Sequence, residues 1–480
     1  LFASLLNFDK CAKIGEKAFD GYCLYFLKFY PNCTQINLMT IKAFYCILTV
    51  LILTIFVRCS LGRKTTQSVI ATQSDSNPSA PIKTAETDED KFLADLLKSQ
   101  PQLFDSILAK RHELNVQIIY TRIDREKDGS PKLTTHYFNR KNAPYFYPAS
   151  TVKFPIALLA LQKIKELTIE GLNRNSTMVT DAAFSGQTAI YNDPNTADGR
   201  PTIAQYIKQI FLVSDNDAFN RLYEMLGQEY VNAQLHKKGY SNTQILHRLS
   251  IFLTEQENRT TNPVRFFDTS KGLLYNIPMQ VNRRQYEKRN DFLGTGYYKA
   301  GKLINQPMDF SKKNRLPLED LHRIMQSLIF PESVKPSERF DITEEDRRFV
   351  LQYMSEYPTE SIYPYYDPTV YTDAYVKLIL FGNDKGKIPP QIRSFSKSGT
   401  AYGQLTETAY IIDTQKNIEF LVSATINCNS DGIYNDDKYD YVGIGYPFMK
   451  NIGKLLYNYE ANRTKKNLPD LSSMKFSYDK

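Results

Sequence analysis

The sequence predicts a mixed α/β chain of the α+β kind, in which an antiparallel β-sheet is flanked by helices and joined to a mostly helical subdomain. Three observations carry this expectation: strand-like segments near both ends of the folded part, helical periodicity between them, and no internal repeat. In chain order, Lys91 to Leu114 has helix-like apolar spacing. Val116–Ile123 and Lys132–Phe138 then alternate like strands around a turn containing Gly129. The middle of the chain is helical in pattern. Thr408–Asp413 and Ile418–Ile426 return to strand character on either side of Thr-Gln-Lys-Asn, and a last helix covers Pro447 to Glu460. Strands drawn from both ends and interrupted by helices pair into one antiparallel sheet with helices on its faces.

Of the 480 residues, 42% are hydrophobic and 23% charged, which excludes a disordered chain and gives ample length for a core. The net charge of +8 comes from 60 basic against 52 acidic residues, too mild an excess to imply nucleic-acid binding. Five of the six cysteines (Cys11, Cys23, Cys33, Cys46, Cys59) lie in the first 59 residues, which leaves Cys428 alone in the rest. Neither a disulfide framework nor a Cys-x-x-Cys metal site fits that distribution, and the five histidines show no ligand spacing. No metal or other cofactor is expected.

The apolar run Ala43 to Val57 is 15 residues long, follows Met39 and Lys42, and leads to Arg58-Cys59-Ser60. It suits a secretory signal core better than a full membrane span, with an uncleaved anchor helix as the alternative. Met39 is then the natural start and residues 1–38 lie upstream of it. Cys59 stands where a bacterial lipoprotein carries its lipidated cysteine, although Arg58 replaces the usual small residue before it. The expectation is an exported, membrane-tethered protein, periplasmic or on the cell surface. Residues 60–90, rich in Ser, Thr, Pro, Gln and Asp, read as a flexible tether.

Tyr147-Pro-Ala-Ser150-Thr-Val-Lys153 runs into the apolar stretch Phe154-Pro-Ile-Ala-Leu-Leu-Ala-Leu. This places Ser150 at a helix start, with Lys153 one turn on and on the same face. A serine hydroxyl becomes a good nucleophile only when a neighbouring base takes its proton, and a lysine amine serves once burial lowers its pKa. Alone the pattern is weak, since a capping serine and a solvated lysine read the same way. Two further elements join it. Val213-Ser214-Asp215-Asn216-Asp217 lies in a helical stretch 64 residues after Ser150, and Phe395-Ser396-Lys397-Ser398-Gly399-Thr400 precedes the C-terminal strands.

With these three motifs in order, the chain resembles the penicillin-recognising serine hydrolases, most closely class A β-lactamases, over about residues 91–460. The resemblance implies a β-lactamase/transpeptidase-like fold and assigns roles by position. Ser150 is the nucleophile and Lys153 its proton acceptor. Ser214 relays a proton to the leaving group, and Asn216 holds Lys153 and the substrate amide. Lys397 attracts the substrate carboxylate, Ser398 and Thr400 hydrogen-bond it, and Gly399 lets the substrate lie close along the strand. The N–H groups of Ser150 and Thr400 form the oxyanion hole. The implied partner is a small β-lactam or a cell-wall peptide.

The chain also departs from the family. Where class A enzymes have Arg-x-Glu-x-x-Leu-Asn, it has Arg248-Leu-Ser250-Ile-Phe-Leu-Thr254. The carboxylate that prepares the deacylating water is thus replaced by Ser250, and its asparagine partner by Thr254. Glu255 and Glu257 stand nearby, either as solvated loop charges or as substitutes. Thr260-Thr-Asn-Pro263 is similar to the family's helix start after this loop. About 264–316 then reads as an insertion with 11 basic and 4 acidic residues, either a solvated extension or a contact surface for an anionic polymer. Tyr357–Tyr371 is a Tyr- and Pro-rich candidate rim, and 461–480 is a tail. The expected function is hydrolysis of a β-lactam or related amide or ester carbonyl through a Ser150 acyl-enzyme. A D-Ala-D-Ala peptidase or esterase, and a penicillin-binding or sensing protein without turnover, are the alternatives.

Overall fold

The computed structural model describes residues 91–140, 143–183, 188–270 and 272–479, all within the contact unit Thr84–Lys480. The upstream segment, the signal or anchor segment 39–59 and the tether 60–90 lie outside the described residues. Among the described residues no helix is long and apolar enough to cross a membrane.

The apolar spacing of Lys91–Leu114 resolves into two helices, α1 (Lys91–Lys98) and α2 (Pro101–Ala109). Pro101 has no N–H to continue the first helix, but it fits the first turn of the second. The hairpin follows as β1 (Gln117–Arg125) and β2 (Pro131–Phe138), and a short 3₁₀ turn, Ala149–Val152, leads into α3 (Lys153–Leu167). Next come β3 (Thr177–Thr180), α4 (Ile203–Leu212), α5 (Asn216–Leu226), α6 (Gln228–Lys237) and the short α7 (Glu255–Arg259). A run of strands follows: β4 (Val264–Asp268), β5 (Gly272–Ile277), β6 (Phe292–Leu293), β7 (Gly296–Lys299), β8 (Lys302–Ile304) and β9 (Met308–Asp309). Helices α8 (Leu318–Ile329) and α9 (Glu344–Ser355) precede β10 (Ile392–Ala401), β11 (Gln404–Asp413), β12 (Ile418–Asn427), β13 (Ile433–Tyr434) and the final α10 (Tyr446–Asn462).

The main sheet has the order β10-β11-β12-β1-β2 and is antiparallel throughout, so strands from early and late in the described residues meet at the β1–β12 pair, where Gln117 faces Thr425. Successive side chains point to opposite faces of a strand. Ile118 and Tyr120 accordingly pack with Leu97, Phe104, Ile452 and Leu456 from α1, α2 and α10, whereas Ile119 and Ile123 pack with the helical subdomain on the other face. Helix α3 runs through that subdomain buried nearly all round, with Phe154, Ile156, Leu158, Leu159 and Leu161 at zero exposure. Each such side chain contributes about 1.5–3 kcal/mol by leaving water.

One expected helix is absent. Thr260–Pro263 opens strand β4, because Val264 and Phe266 alternate with Arg265 and enter the core while the backbone pairs with β3 and β5. The segment 264–316 is therefore partly built into the fold. Phe310 is fully buried and packs against Tyr147, Tyr402 and Tyr434. The residues after Glu460 also pack, through buried Leu471 and Met474 and through Phe476 against Phe395.

Candidate active site

The sequence sets Ser150 in a turn rather than in the helix proper. Thr151 Oγ1 and N–H both bond the Pro148 carbonyl, at 2.7 and 3.1 Å, which tightens the chain into 3₁₀ geometry before α3 begins at Lys153. Lys153 Nζ then lies 2.9 Å from Ser150 Oγ.

The Ser-Asp-Asn motif was expected inside a helix; Ser214 and Asp215 sit in the break between α4 and α5, and Asn216 opens α5. Ser214 adopts φ +61°, and Asp215 caps α5 by accepting the Ala218 N–H at 2.8 Å. A non-glycine residue held at positive φ costs on the order of 1–3 kcal/mol, and Ala149 and Ser250 beside the site share this conformation. The break turns Ser214 inward. Lys153 Nζ donates to its carbonyl at 2.5 Å and lies 3.1 Å from its Oγ, and Asn216 Oδ1 accepts from the same amine at 2.7 Å. Lys397 Nζ reaches Ser214 Oγ from β10 at 2.8 Å. Ser214 thus stands between two buried amines, joining three segments far apart in sequence.

Burial lowers Lys153 to about 7, with Asp215 acting weakly in the other direction. Lys397 is held well below the usual lysine range by burial, then by Lys153 and Lys377, while Glu407 opposes them. Two amines sharing one hydroxyl disfavour each other's charge, so the pair holds fewer than two protons near neutrality. That leaves a base beside Ser150.

Gly399 is needed for a close approach. A Cβ there would come within 2.7 Å of the Pro148 carbonyl oxygen and 2.8 Å of the Ser150 nitrogen. With glycine, β10 lies directly against the turn, and the Ser150 N–H stands beside the strand residue that precedes Thr400. The two hydroxyls expected to bind a substrate carboxylate differ. Thr400 is exposed, whereas Ser398 is buried and donates to the Val376 carbonyl at 3.0 Å, a bond it would exchange to meet a substrate.

The loop after Arg248 keeps its anchor but not a base. Arg248 is buried, pairs with Glu224 at 2.8 Å, and donates to the carbonyls of Glu257 and Thr260, closing the loop on itself. Ser250 Oγ receives Asn216 Nδ2 at 2.8 Å, so the serine occupies the expected place beside the site. The Thr254 hydroxyl is taken up in capping α7 in a reciprocal pair with Glu257. Glu255 is bound by Lys312 and Arg259. Those hydrogen bonds, from Lys312 first for Glu255 and from Thr254 for Glu257, hold both carboxyls below the ordinary range.

Sequence reasoning missed Glu224 and Asn258, which brace the loop, and Lys377 and Glu407 beneath β10. Glu407 Oε2 accepts the Ile379 N–H at 2.5 Å, and Lys377 bonds the Met354 carbonyl. No local pattern marks them, because each acts only through tertiary contact. Among the described residues, no group of three or more His, Cys, Asp or Glu side chains converges as a metal site.

The model of the beta-lactamase enzyme family matches residues 105–459. No curated protein matches the chain. Solved structures similar to it include a beta lactamase from Xanthomonas campestris pv. campestris, at 13% identity and TM-score 0.41, covering 76% of this chain and 98% of that one. A class A beta-lactamase from Clostridium kluyveri is 14% identical with TM-score 0.39, covering 75% and 98%. A beta lactamase from Burkholderia vietnamiensis is 12% identical with TM-score 0.42, covering 77% and 98%.

Proposed function

The chain belongs to the beta-lactamase enzyme family, and from that premise we propose that it is an exported serine hydrolase acting on a β-lactam or related amide or ester carbonyl through a Ser150 acyl-enzyme. The observation that carries this reading is the buried Lys153 amine, brought to about 7, at 2.9 Å from Ser150 Oγ. Ser150 Oγ attacks the carbonyl carbon while Lys153 takes its proton. The N–H groups of Ser150 and Thr400 receive the oxyanion, and Ser214 passes a proton to the departing atom as the tetrahedral intermediate collapses to an ester. Lys397 supplies positive charge beside Ser214, and Thr400 is the exposed hydroxyl for a substrate carboxylate.

Ser250 favours a second reading of the same site. A serine does not take a proton from water as a carboxylate does, so acylation outruns deacylation and the protein behaves as a penicillin-binding or sensing protein, or as a slow peptidase. The tether expected from the Met39–Cys59 segment would hold either one outside the cytoplasm. The test is intact-protein mass spectrometry with a penicillin, followed by peptide mapping. The expected result is an adduct on Ser150 that forms quickly and decays slowly. An adduct on another serine, with Ser150→Ala still labelled, would overturn the reading.

A further inference from the structure

The Tyr- and Pro-rich segment Tyr357–Tyr371 and the residues that follow it to Val376 border the groups around Ser398. At one end Tyr366 packs against the core within electrostatic reach of Asp215, the neighbour of Ser214. At the other end the Val376 carbonyl accepts the Ser398 hydroxyl. Between them the rings of Tyr366, Tyr371 and Tyr375 follow one another, with centroids 5.2 and then 4.8 Å apart. The surface is open, with Tyr363, Val370 and Tyr375 exposed at 51%, 55% and 41%. Exposed aromatic and aliphatic side chains next to the residue that holds Ser398 offer a surface to a ligand.

We propose that this tyrosine ladder is the subsite for the leaving-group half of the substrate and selects a flat aromatic or heteroaromatic ring there. The inference rests on the acyl-transfer reading above, in which Ser398 meets the carboxylate carried by the departing half, since the ladder ends at Tyr375, the chain neighbour of the Val376 that holds the Ser398 hydroxyl. A sugar would need free polar side chains around the rings. The acids of this segment are already committed: Asp367 to Thr369, and Asp373 to Thr359, Lys387 and the Ile388 N–H. Beside their hydroxyls, the tyrosines offer ring faces and Val370 an aliphatic edge, which match an aromatic ring stacked or set edge to face.

The test compares two cephalosporins that share an acyl side chain and differ only in the substituent of the leaving half, methyl in one and arylthio in the other. Adduct formation on the full chain is followed by mass. The aryl compound is expected to react about tenfold faster, the size of one good aromatic contact. That ratio is expected to fall toward one in Tyr371→Leu and Tyr375→Leu, and to survive in the corresponding Tyr→Phe variants. Equal rates, or a ratio untouched by the Leu variants, overturn the ladder and leave Ser150 standing. If neither compound forms an adduct, the acyl-transfer reading fails. Calorimetry of the same pair on Ser150→Ala then decides the ladder: tighter aryl binding that is lost with Tyr371→Leu upholds it, and equal binding overturns it.

Discussion

Acylation of Ser150 is expected to titrate with Lys153. Burial moves this amine from 10.5 to about 7, which costs on the order of 5 kcal/mol of preference for the charged form. At pH 7 about half of the molecules then hold a neutral amine, against roughly 0.03% for an ordinary lysine, so burial multiplies the usable base about a thousandfold. The second-order rate of adduct formation should therefore climb about tenfold per pH unit below 7 and level off above 8, with pH 5 about a hundredfold below the plateau. The assay is acid-quenched intact mass at a series of times from pH 5 to pH 9. Lys153→Arg should abolish the reaction, because a guanidinium does not give up its proton in this range. Lys397→Arg, which fixes a positive charge there, should lower the rate but leave the limb in place. A rate that is flat from pH 5 to 8, or a limb with its midpoint above 9, would refute the assignment of Lys153 as the base.

Gly399→Ala should slow acylation at least a hundredfold and destabilise the fold by about 1–3 kcal/mol in urea titrations, since its Cβ meets backbone atoms of the Ser150 turn that have little room to move. Deacylation, followed as adduct decay, should accelerate in Ser250→Glu, whose carboxylate would stand beside Asn216, and stay unchanged in Glu255→Gln and Glu257→Gln, whose carboxyls serve Lys312 and Thr254. Loss of turnover in either Gln variant would show that the base had been misplaced. Lys153→Met should raise the melting temperature. The folded pKa near 7 lies below the unfolded value of 10.5, so the wild-type penalty is absent above about pH 10.5, grows as the pH falls, and is complete below 7. The gain should accordingly be large at pH 6 and small at pH 10.

The meeting of side chains was legible where a motif carries its own local geometry. Ser150 and Lys153 are three residues apart at a helix start, so their meeting follows from helical spacing alone. Ser214, Asn216 and Lys397 were legible only as a family pattern, since nothing local says that a left-handed Ser214 turns inward from a helix break. The helix expected at Thr260 failed because Val264 and Phe266 find more to bury as a strand beside β3 than as a short helix. Ser398 marks a different limit. Its side-chain type suits a carboxylate, but its present partner is the Val376 carbonyl, supplied by a segment whose position depends on tertiary packing. Glu407 and Lys377 left no trace in the pattern, because a buried polar residue looks like any surface charge until the fold encloses it.

The pairing of β1 with β12 sets a timetable. Gln117 must wait for Thr425, and Ser150 must wait for Gly399, before either finds its neighbour. Contacts this distant in sequence demand costly loop closure before they return any stability, which makes the last steps of folding slow. A growing chain carries its nucleophile, its lysine and its Ser-Asp-Asn turn long before it has a strand to lay against them. The β1–β2 hairpin meanwhile presents an unpaired edge to its surroundings. On the acyl-transfer reading, the Ser150 turn then lacks its β10 neighbour until the final third of the polypeptide is in place.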